Sequence, residues 1–108
     1  MKFKLINIIN EREISVSPNW KWDGNEGEKV VVRGYDLEKS EVPLQVAREF
    51  AKKTLTTALV DKNISLLNPR KLANDVIECD VYANGVNVSE YFIGLGKNTK
   101  ETRFQAAG

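Results

Sequence analysis

The chain has 108 residues, which fits one domain with a single core and is short for two. Hydrophobic residues make up 42% and charged residues 29%, a balance typical of a folded chain and not of a disordered one. The 16 Lys and Arg against 15 Asp and Glu exclude a global field that would attract nucleic acid or a membrane, and the absence of His excludes the commonest neutral-pH base.

The first ten residues, 1–10, predict a strand buried on both sides rather than a secretory signal. Apolar residues occupy both parities, and Asn7 interrupts a run that is too short for the apolar core of a signal peptide. No stretch approaches the roughly 18 apolar residues of a membrane helix, and the one cysteine, Cys79, has no partner for an internal disulfide. We therefore expect a cytoplasmic protein that makes no contact with a membrane.

Two further strands are predicted from alternation and from a turn signal. Residues 13–17 alternate polar and apolar with period two, and Pro18 with Asn19 is expected to end that strand. The Asp23–Gly24 step is a strong hairpin signal, so a third strand is expected at 29–33.

The clearest helix of the sequence is predicted to begin at Pro43, where the missing N–H of proline costs nothing. One apolar stripe runs along this helix, and charged residues occupy the opposite face. The stripe consists of Leu44, Ala47, Phe50, Ala51, Leu55, Ala58 and Leu59. The face predicted to meet water consists of Arg48, Glu49, Lys52 and Lys53.

Two more strands are predicted after the helix. Residues 63–67 form the fourth, which Asn68–Pro69 is expected to break. Residues 76–82 alternate as the fifth strand. Its inward residues are predicted to be Ile77, Cys79 and Val81, and its outward residues Glu78 and Asp80.

The end of the predicted order is a turn at Asn84–Gly85 and a short helix over Glu90–Leu95, with Ser89 as its N-cap. The order as a whole has no βαβ alternation and predicts an α+β fold. The specific prediction is a five-stranded OB-type β-barrel with a helix after strand 3 and a short helix after strand 5. Residues 1–108 are predicted to form this single domain.

Three segments, in this order, resemble the staphylococcal nuclease (thermonuclease) family. Residues 34–36, G-Y-D, occupy the place of the family's G-I-D, and residues 49–55 are similar to its first helix. Residues 82–90 resemble the family's Y-x-[DN]-G-x-x-V-N-E step into its second helix. The resemblance covers roughly residues 3–96 and implies the same barrel.

The family's reaction is calcium-dependent hydrolysis of phosphodiester bonds. The resemblance implies two carboxylate ligands for calcium, a glutamate that activates water, and two arginines that neutralise the phosphoryl oxygens. Asp36 matches one carboxylate and is the candidate calcium ligand, although its loop also suits a solvated turn. Arg12 falls on the other carboxylate position, where a cation would repel calcium.

The other catalytic positions of the family are displaced in this sequence. The glutamate falls on Lys39 and the first arginine on Val31, so neighbouring residues would have to replace both. The candidate catalytic residues are then Arg33, Glu38, Glu41 and Arg70. The resemblance therefore implies a dismantled active site, and we predict a non-catalytic domain acting as a binding or interaction module. The alternative is a divergent calcium-dependent nuclease.

Aromatic residues supply the candidate binding site. Trp20 and Trp22 share a strand face and could stack the bases of single-stranded nucleic acid, although aromatics also fill the core of small barrels. Tyr35 is the third candidate binding residue. The family's long third helix is reduced to residues 97–108, a truncated or frayed segment. The face left open by this short segment predicts a protein partner or a homo-oligomer.

Overall fold

In the computed structural model, which describes residues 2–92, a sheet of six strands packs with one α-helix. The strands are β1 (Lys4–Ile8), β2 (Glu13–Trp22), β3 (Asn25–Val32), β4 (Ile64–Ala73), β5 (Val76–Ala83) and β6 (Val86–Asn87). The helix α1 (Leu44–Leu59) connects β3 to β4, and two short 3-10 turns cover Leu37–Lys39 and Val88–Phe92. The predicted α+β class is confirmed.

The strands follow the spatial order β1-β2-β3-β5-β4, with β6 added to β5. Among the strand pairs of residues 2–92, only β3–β5 is parallel, because the chain crosses over through α1 before it returns to the sheet. The sheet is open, with β1 and β4 as its edges. At one point the edges meet: Phe3 and Ile64 exchange backbone hydrogen bonds of 2.8 and 2.9 Å.

Two prolines that were predicted to end strands lie inside them. β2 continues through Pro18 to Trp22, and β4 continues through Pro69 to Ala73. Each proline lies where the pairing is irregular, between Ser15 and Trp20 in β2 and between Leu67 and Arg70 in β4. The missing N–H therefore falls at an irregularity, which is where a strand tolerates proline.

The two predicted hairpin turns are confirmed. Asp23 and Gly24 both have positive φ, 55° and 80°, and Asn84 and Gly85 have φ of 50° and 88°. Two consecutive positive φ values are the geometry that Asp-Gly and Asn-Gly favour between antiparallel strands. The second turn leads into β6, which is only two residues long and therefore shows no alternation that would predict it.

The helix α1 starts at Leu44 with Pro43 as its N-cap, close to the predicted start. The buried stripe is Ala47, Ala51, Leu55, Ala58 and Leu59. The predicted inclusion of Leu44 and Phe50 is wrong, since both are exposed, Phe50 by 54%. Phe50 lies roughly 100° around the helix from Ala51 and so falls outside the stripe.

The core lies between the inner face of the sheet and α1. The predicted inward residues of β5, Ile77, Cys79 and Val81, are all buried. The prediction that β1 is buried on both sides is wrong, because Ile6 faces solvent. The elements of residues 2–92 pack on one face of the sheet at β1, where α1 contacts it, so the apolar residues of its other face have nothing to pack against.

The carboxyl end of the described chain also differs from the prediction. The helical turn begins at Val88, and the side chain that precedes it is Asn87, whose Oδ1 accepts a 2.9 Å hydrogen bond from the Ser89 amide. Ser89 itself is buried inside the turn and is not the predicted N-cap. The predicted helix end at Leu95 and the segment 97–108 lie outside the described residues. Within residues 2–92, no helix has the length and apolarity to cross a membrane.

Candidate functional site

The two candidate arginines meet on the outer face of the sheet. Arg33 follows β3, and its Nε donates to Asp80 Oδ1 on β5 at 2.9 Å, while its Nη2 donates to the carbonyl oxygen of Asn68. The side-chain amide of Asn68 donates to the other oxygen of Asp80 at 2.9 Å. Arg33 is therefore held from two sides, by a carboxylate and by a backbone carbonyl.

Arg70 on β4 is paired in the same region. Its Nε and Nη2 lie 3.0 and 2.8 Å from Glu78 Oε1, and Arg33 Nη1 lies 3.7 Å from the same oxygen. We call Arg33, Arg70, Glu78, Asp80 and Asn68 the ion-pair cluster. The structure thus brings the two predicted arginines together, but each of them is paired with a carboxylate of β5.

The charges of the ion-pair cluster compensate each other. The hydrogen bond from Arg33, followed by that from Asn68, holds the pKa of Asp80 below its ordinary value. The same hydrogen bond with Asp80 raises the pKa of Arg33. A phosphate that approached Arg33 would have to replace a carboxylate that already satisfies it.

The candidate calcium ligand Asp36 lies at the start of the 3-10 turn Leu37–Lys39. Its Oδ1 accepts a 3.1 Å hydrogen bond from the Glu38 amide, which makes it the cap of that turn. Glu38 and Glu41 are exposed. Among residues 2–92 there is no group of three or more His, Cys, Asp or Glu side chains that could hold a metal ion. A calcium site at Asp36 stays a prediction.

Tyr35, a candidate binding residue, is buried. Its hydroxyl donates to the Glu11 carbonyl at 2.8 Å, and its ring stacks on Phe92 with centroids 3.8 Å apart. Arg12 lies beside this stack, with its guanidinium carbon 6.0 Å from the Tyr35 centroid. The Arg12 Nε is buried and has no hydrogen-bond partner among residues 2–92. The ring of Tyr35 therefore packs the core and offers no open face for a ligand.

The two tryptophans differ in exposure. Trp20 is 2% exposed, and its indole N–H donates to the Lys29 carbonyl at 2.9 Å. At this exposure the Trp20 ring offers little surface on which a base could stack, and stacking on Trp20 stays a prediction. Trp22, two residues further along β2, is only half-buried. Of the predicted pair, Trp22 is the one that a ligand can reach.

Trp22 lies on a groove of about 430 Å³, which we call the Trp22 groove. Its apolar lining includes Pro18, Trp20, Trp22, Leu66, Pro69 and Ile77. The groove has this position because β1 pairs with β2 only as far as the Lys4–Ser17 pair and bridges β4 only at Ile64. Beyond these points no strand in the described chain lies between β2 and β4.

Two lysines add positive charge to the Trp22 groove. Lys21 lines it, and Lys71 on β4 pairs in register with Ile77 of the floor, which places Lys71 on the same face of the sheet. Both lysine side chains are exposed. Sequence reasoning missed Lys71 and the two prolines, since the prolines were interpreted as strand breaks and nothing local relates β4 to Trp22.

No protein-family model matches this sequence, and no curated protein matches it as a relative. The resemblance to the staphylococcal nuclease family therefore stays a prediction. The functional interpretation rests on the residues of the ion-pair cluster and of the Trp22 groove.

Proposed function

We propose that this domain is a non-catalytic binding module of staphylococcal nuclease-like type that binds single-stranded nucleic acid in the Trp22 groove. The observation that carries the proposal is the groove itself. It has about 430 Å³ of space, an accessible tryptophan and two prolines, which suits the flat apolar face of a base. Stacking of this kind tolerates every base and predicts little sequence preference.

The strand order supports the finer part of the proposal, an OB-type barrel. An OB barrel of five strands requires the first strand to lie between the second and the fourth. Here β1 pairs with β2 along its length and meets β4 at the Phe3–Ile64 bridge. Because β1 and β4 meet at a single bridge, the sheet stays open beside it, and the Trp22 groove occupies that opening.

The flanking lysines support an anionic ligand. Lys71 lies on the same face of the sheet as the groove floor, where it can meet a phosphate beside a stacked base. Lys21 lines the rim of the groove, but it alternates with Trp20 and Trp22 along β2 and stands opposite Glu26. For single strands, each neutralised phosphate contributes roughly −0.7 to the slope of log K against log salt, so one or two contacts predict a slope between about −0.7 and about −1.4. The binding constant is therefore expected to depend only weakly on salt, and most of the binding free energy is expected to come from stacking.

The ion-pair cluster favours binding over catalysis. A nuclease aims arginines at the phosphoryl oxygens, and removing one such group costs roughly 10²–10³ in rate. Arg33 and Arg70 are instead engaged with Asp80 and Glu78 at 2.8–3.0 Å. The alternative of a calcium-dependent nuclease requires both arginines to leave these carboxylates. A cytoplasmic location belongs to the same proposal, because the buried free thiol of Cys79 suits a reducing compartment.

The experiment that tests this proposal is a titration of a fluorescently labelled oligothymidine with the protein at low salt, followed by anisotropy. Trp22→Ala is expected to weaken binding about 5- to 150-fold, since base stacking contributes roughly 1–3 kcal/mol. Phe50→Ala, which removes an exposed aromatic from α1, is the matched control and is expected to bind as the wild type does. Equal affinity of Trp22→Ala and wild type would refute the proposed site.

A further inference from the structure

We propose that a second groove, between α1 and the β5–β6 turn, binds an acidic amphipathic helix of a protein partner. This groove, the helix groove, has a volume of about 710 Å³ and lies apart from the Trp22 groove, with which it shares no lining residue. The inference goes beyond nucleic-acid binding and does not depend on it.

Large apolar side chains are exposed around the helix groove. Phe50 on α1 is 54% exposed, Val86 on β6 is 43% exposed, and Tyr91 in the last 3-10 turn is 52% exposed. Isolated exposed apolar residues are common on protein surfaces, but a group of three around one concave surface is typical of an interaction site.

The shape of the helix groove suits a helix. Its wall on α1 is formed by Phe50, Thr54 and Thr57, which follow the i, i+4, i+7 spacing of one helix face. This wall is about 10 Å long at 1.5 Å per residue, close to two helical turns. A helix lying beside α1 can place apolar residues of two turns between Phe50 and Tyr91, which is the helix-in-groove mode of recognition.

The charge of the helix groove decides between possible occupants. Among residues 2–92, the charged residues that line it are Lys53 and Lys62. A second copy of this chain, seated by the same groove, would bring the lysines of the two copies together. The chain's own segment 97–108 has three cations, Lys97, Lys100 and Arg103, against one Glu101, so it has the same sign of charge as the groove. Like charges disfavour both occupants, and a partner with Asp or Glu beside its apolar face is complementary.

The test uses two labelled 18-residue helical peptides that share one leucine face and differ only in its flanks, Glu in one and Lys in the other. Fluorescence anisotropy with the full chain is expected to give at least tenfold tighter binding of the Glu peptide. Phe50→Ala is expected to weaken it about tenfold, as truncation of a central aromatic anchor does. The double variant Lys53→Glu and Lys62→Glu keeps Phe50 and is expected to reverse the preference between the peptides.

Three outcomes would overturn the inference. The first is equal affinity of the two peptides, and the second is no binding of either one by the full chain. The third is a dimer in light scattering that Phe50→Asp converts to a monomer, which would assign the groove to a second copy. Trp22→Ala is the matched control, because it alters the other groove and is expected to leave peptide binding unchanged. If the wild-type chain binds the Glu peptide but not oligothymidine, the proposed function fails and this inference stands. If it binds oligothymidine but neither peptide, this inference fails and the proposed function stands.

Discussion

Asp80→Asn tests whether the ion-pair cluster is a structural device that holds Arg33. The substitution keeps the size of the side chain and removes its charge. It also replaces one of the two carboxylate oxygens, which accept from Arg33 and from Asn68 at 2.9 Å, by an amide donor. A hydrogen bond to a charged group contributes about 1.5–3 kcal/mol to the free energy of unfolding. Because the Asp80 side chain is 26% exposed, solvent screening reduces this contribution, and we expect a loss of about 1–2 kcal/mol at pH 7.

The pH dependence separates loss of charge from loss of packing. The pKa of Asp80 is lower in the folded state than its ordinary value because of Arg33 and Asn68, so its contribution to stability is fully present above the unfolded pKa of about 3.9. It is lost as the pH falls through the lower folded pKa. The difference between wild type and Asp80→Asn is therefore expected to be constant from pH 7 to pH 5 and to shrink towards pH 2.

Urea denaturation of both proteins at a series of pH values measures this difference. The matched control is Asp75→Asn, which changes an exposed carboxylate in the turn before β5 and is expected to alter stability by less than about 0.5 kcal/mol. A stability difference for Asp80→Asn that persisted at pH 2 would refute the electrostatic explanation. No difference at pH 7 would show that the cluster does not hold Arg33.

Two further predictions concern the supports of the site. Gly34→Ala is expected to destabilise the fold by about 2–5 kcal/mol in urea denaturation, since φ is +116° and the new Cβ would lie 2.6 Å from the Ser89 Cβ. Gly24→Ala has open space at φ +80° and is expected to cost only about 1–2 kcal/mol, so equal losses would contradict the steric argument. Burial raises the pKa of Cys79 to about 12, and an aromatic disulfide reagent at pH 8 is expected to react about 100-fold more slowly with the native protein than with the unfolded one. Equal rates would mean that the thiol is accessible.

Sequence periodicity predicted the elements that bury one face. Ala47, Ala51 and Leu55 lie at helical spacing in α1, and Ile77 and Cys79 alternate in β5, and all five are buried. When a helix or a strand buries only one side, its buried residues recur with the period of that element. The same rule failed for Ile6, because burial of both faces requires a packed layer on each face of the sheet, and the face with Ile6 is exposed.

The prolines show why local rules missed the Trp22 groove. Proline removes a sheet hydrogen bond, so Pro18 and Pro69 were interpreted as strand ends. In the structure both lie at irregular pairs, and they line the same groove although they belong to different strands. Their proximity depends on the order of strands in space, and no pattern within either segment contains that information.

The arginine pairs depend on long-range register in the same way. Arg33 is placed beside Asp80 because β3 and β5 run parallel, with Val32 opposite Cys79. Arg70 is placed beside Glu78 because these two residues are direct partners in the β4–β5 ladder. The sequence predicted that Glu78 and Asp80 face outward. It gave no indication that the two arginines would reach the same strand.

Alternation along β5 also separates the two parts that a nuclease must combine. Ile77 forms part of the floor of the Trp22 groove, while Glu78, the next residue, holds Arg70. Successive side chains of a strand point to opposite faces of the sheet. In the proposed complex, a single strand of nucleic acid stacked on Trp22 would therefore lie on the opposite face of β5 from the guanidiniums of Arg33 and Arg70. Freeing these arginines, as in Asp80→Asn, would still leave them on the other side of the sheet from a phosphoryl group in the groove, and we therefore expect no cleavage by the Asp80→Asn variant in a nuclease assay with the same oligothymidine.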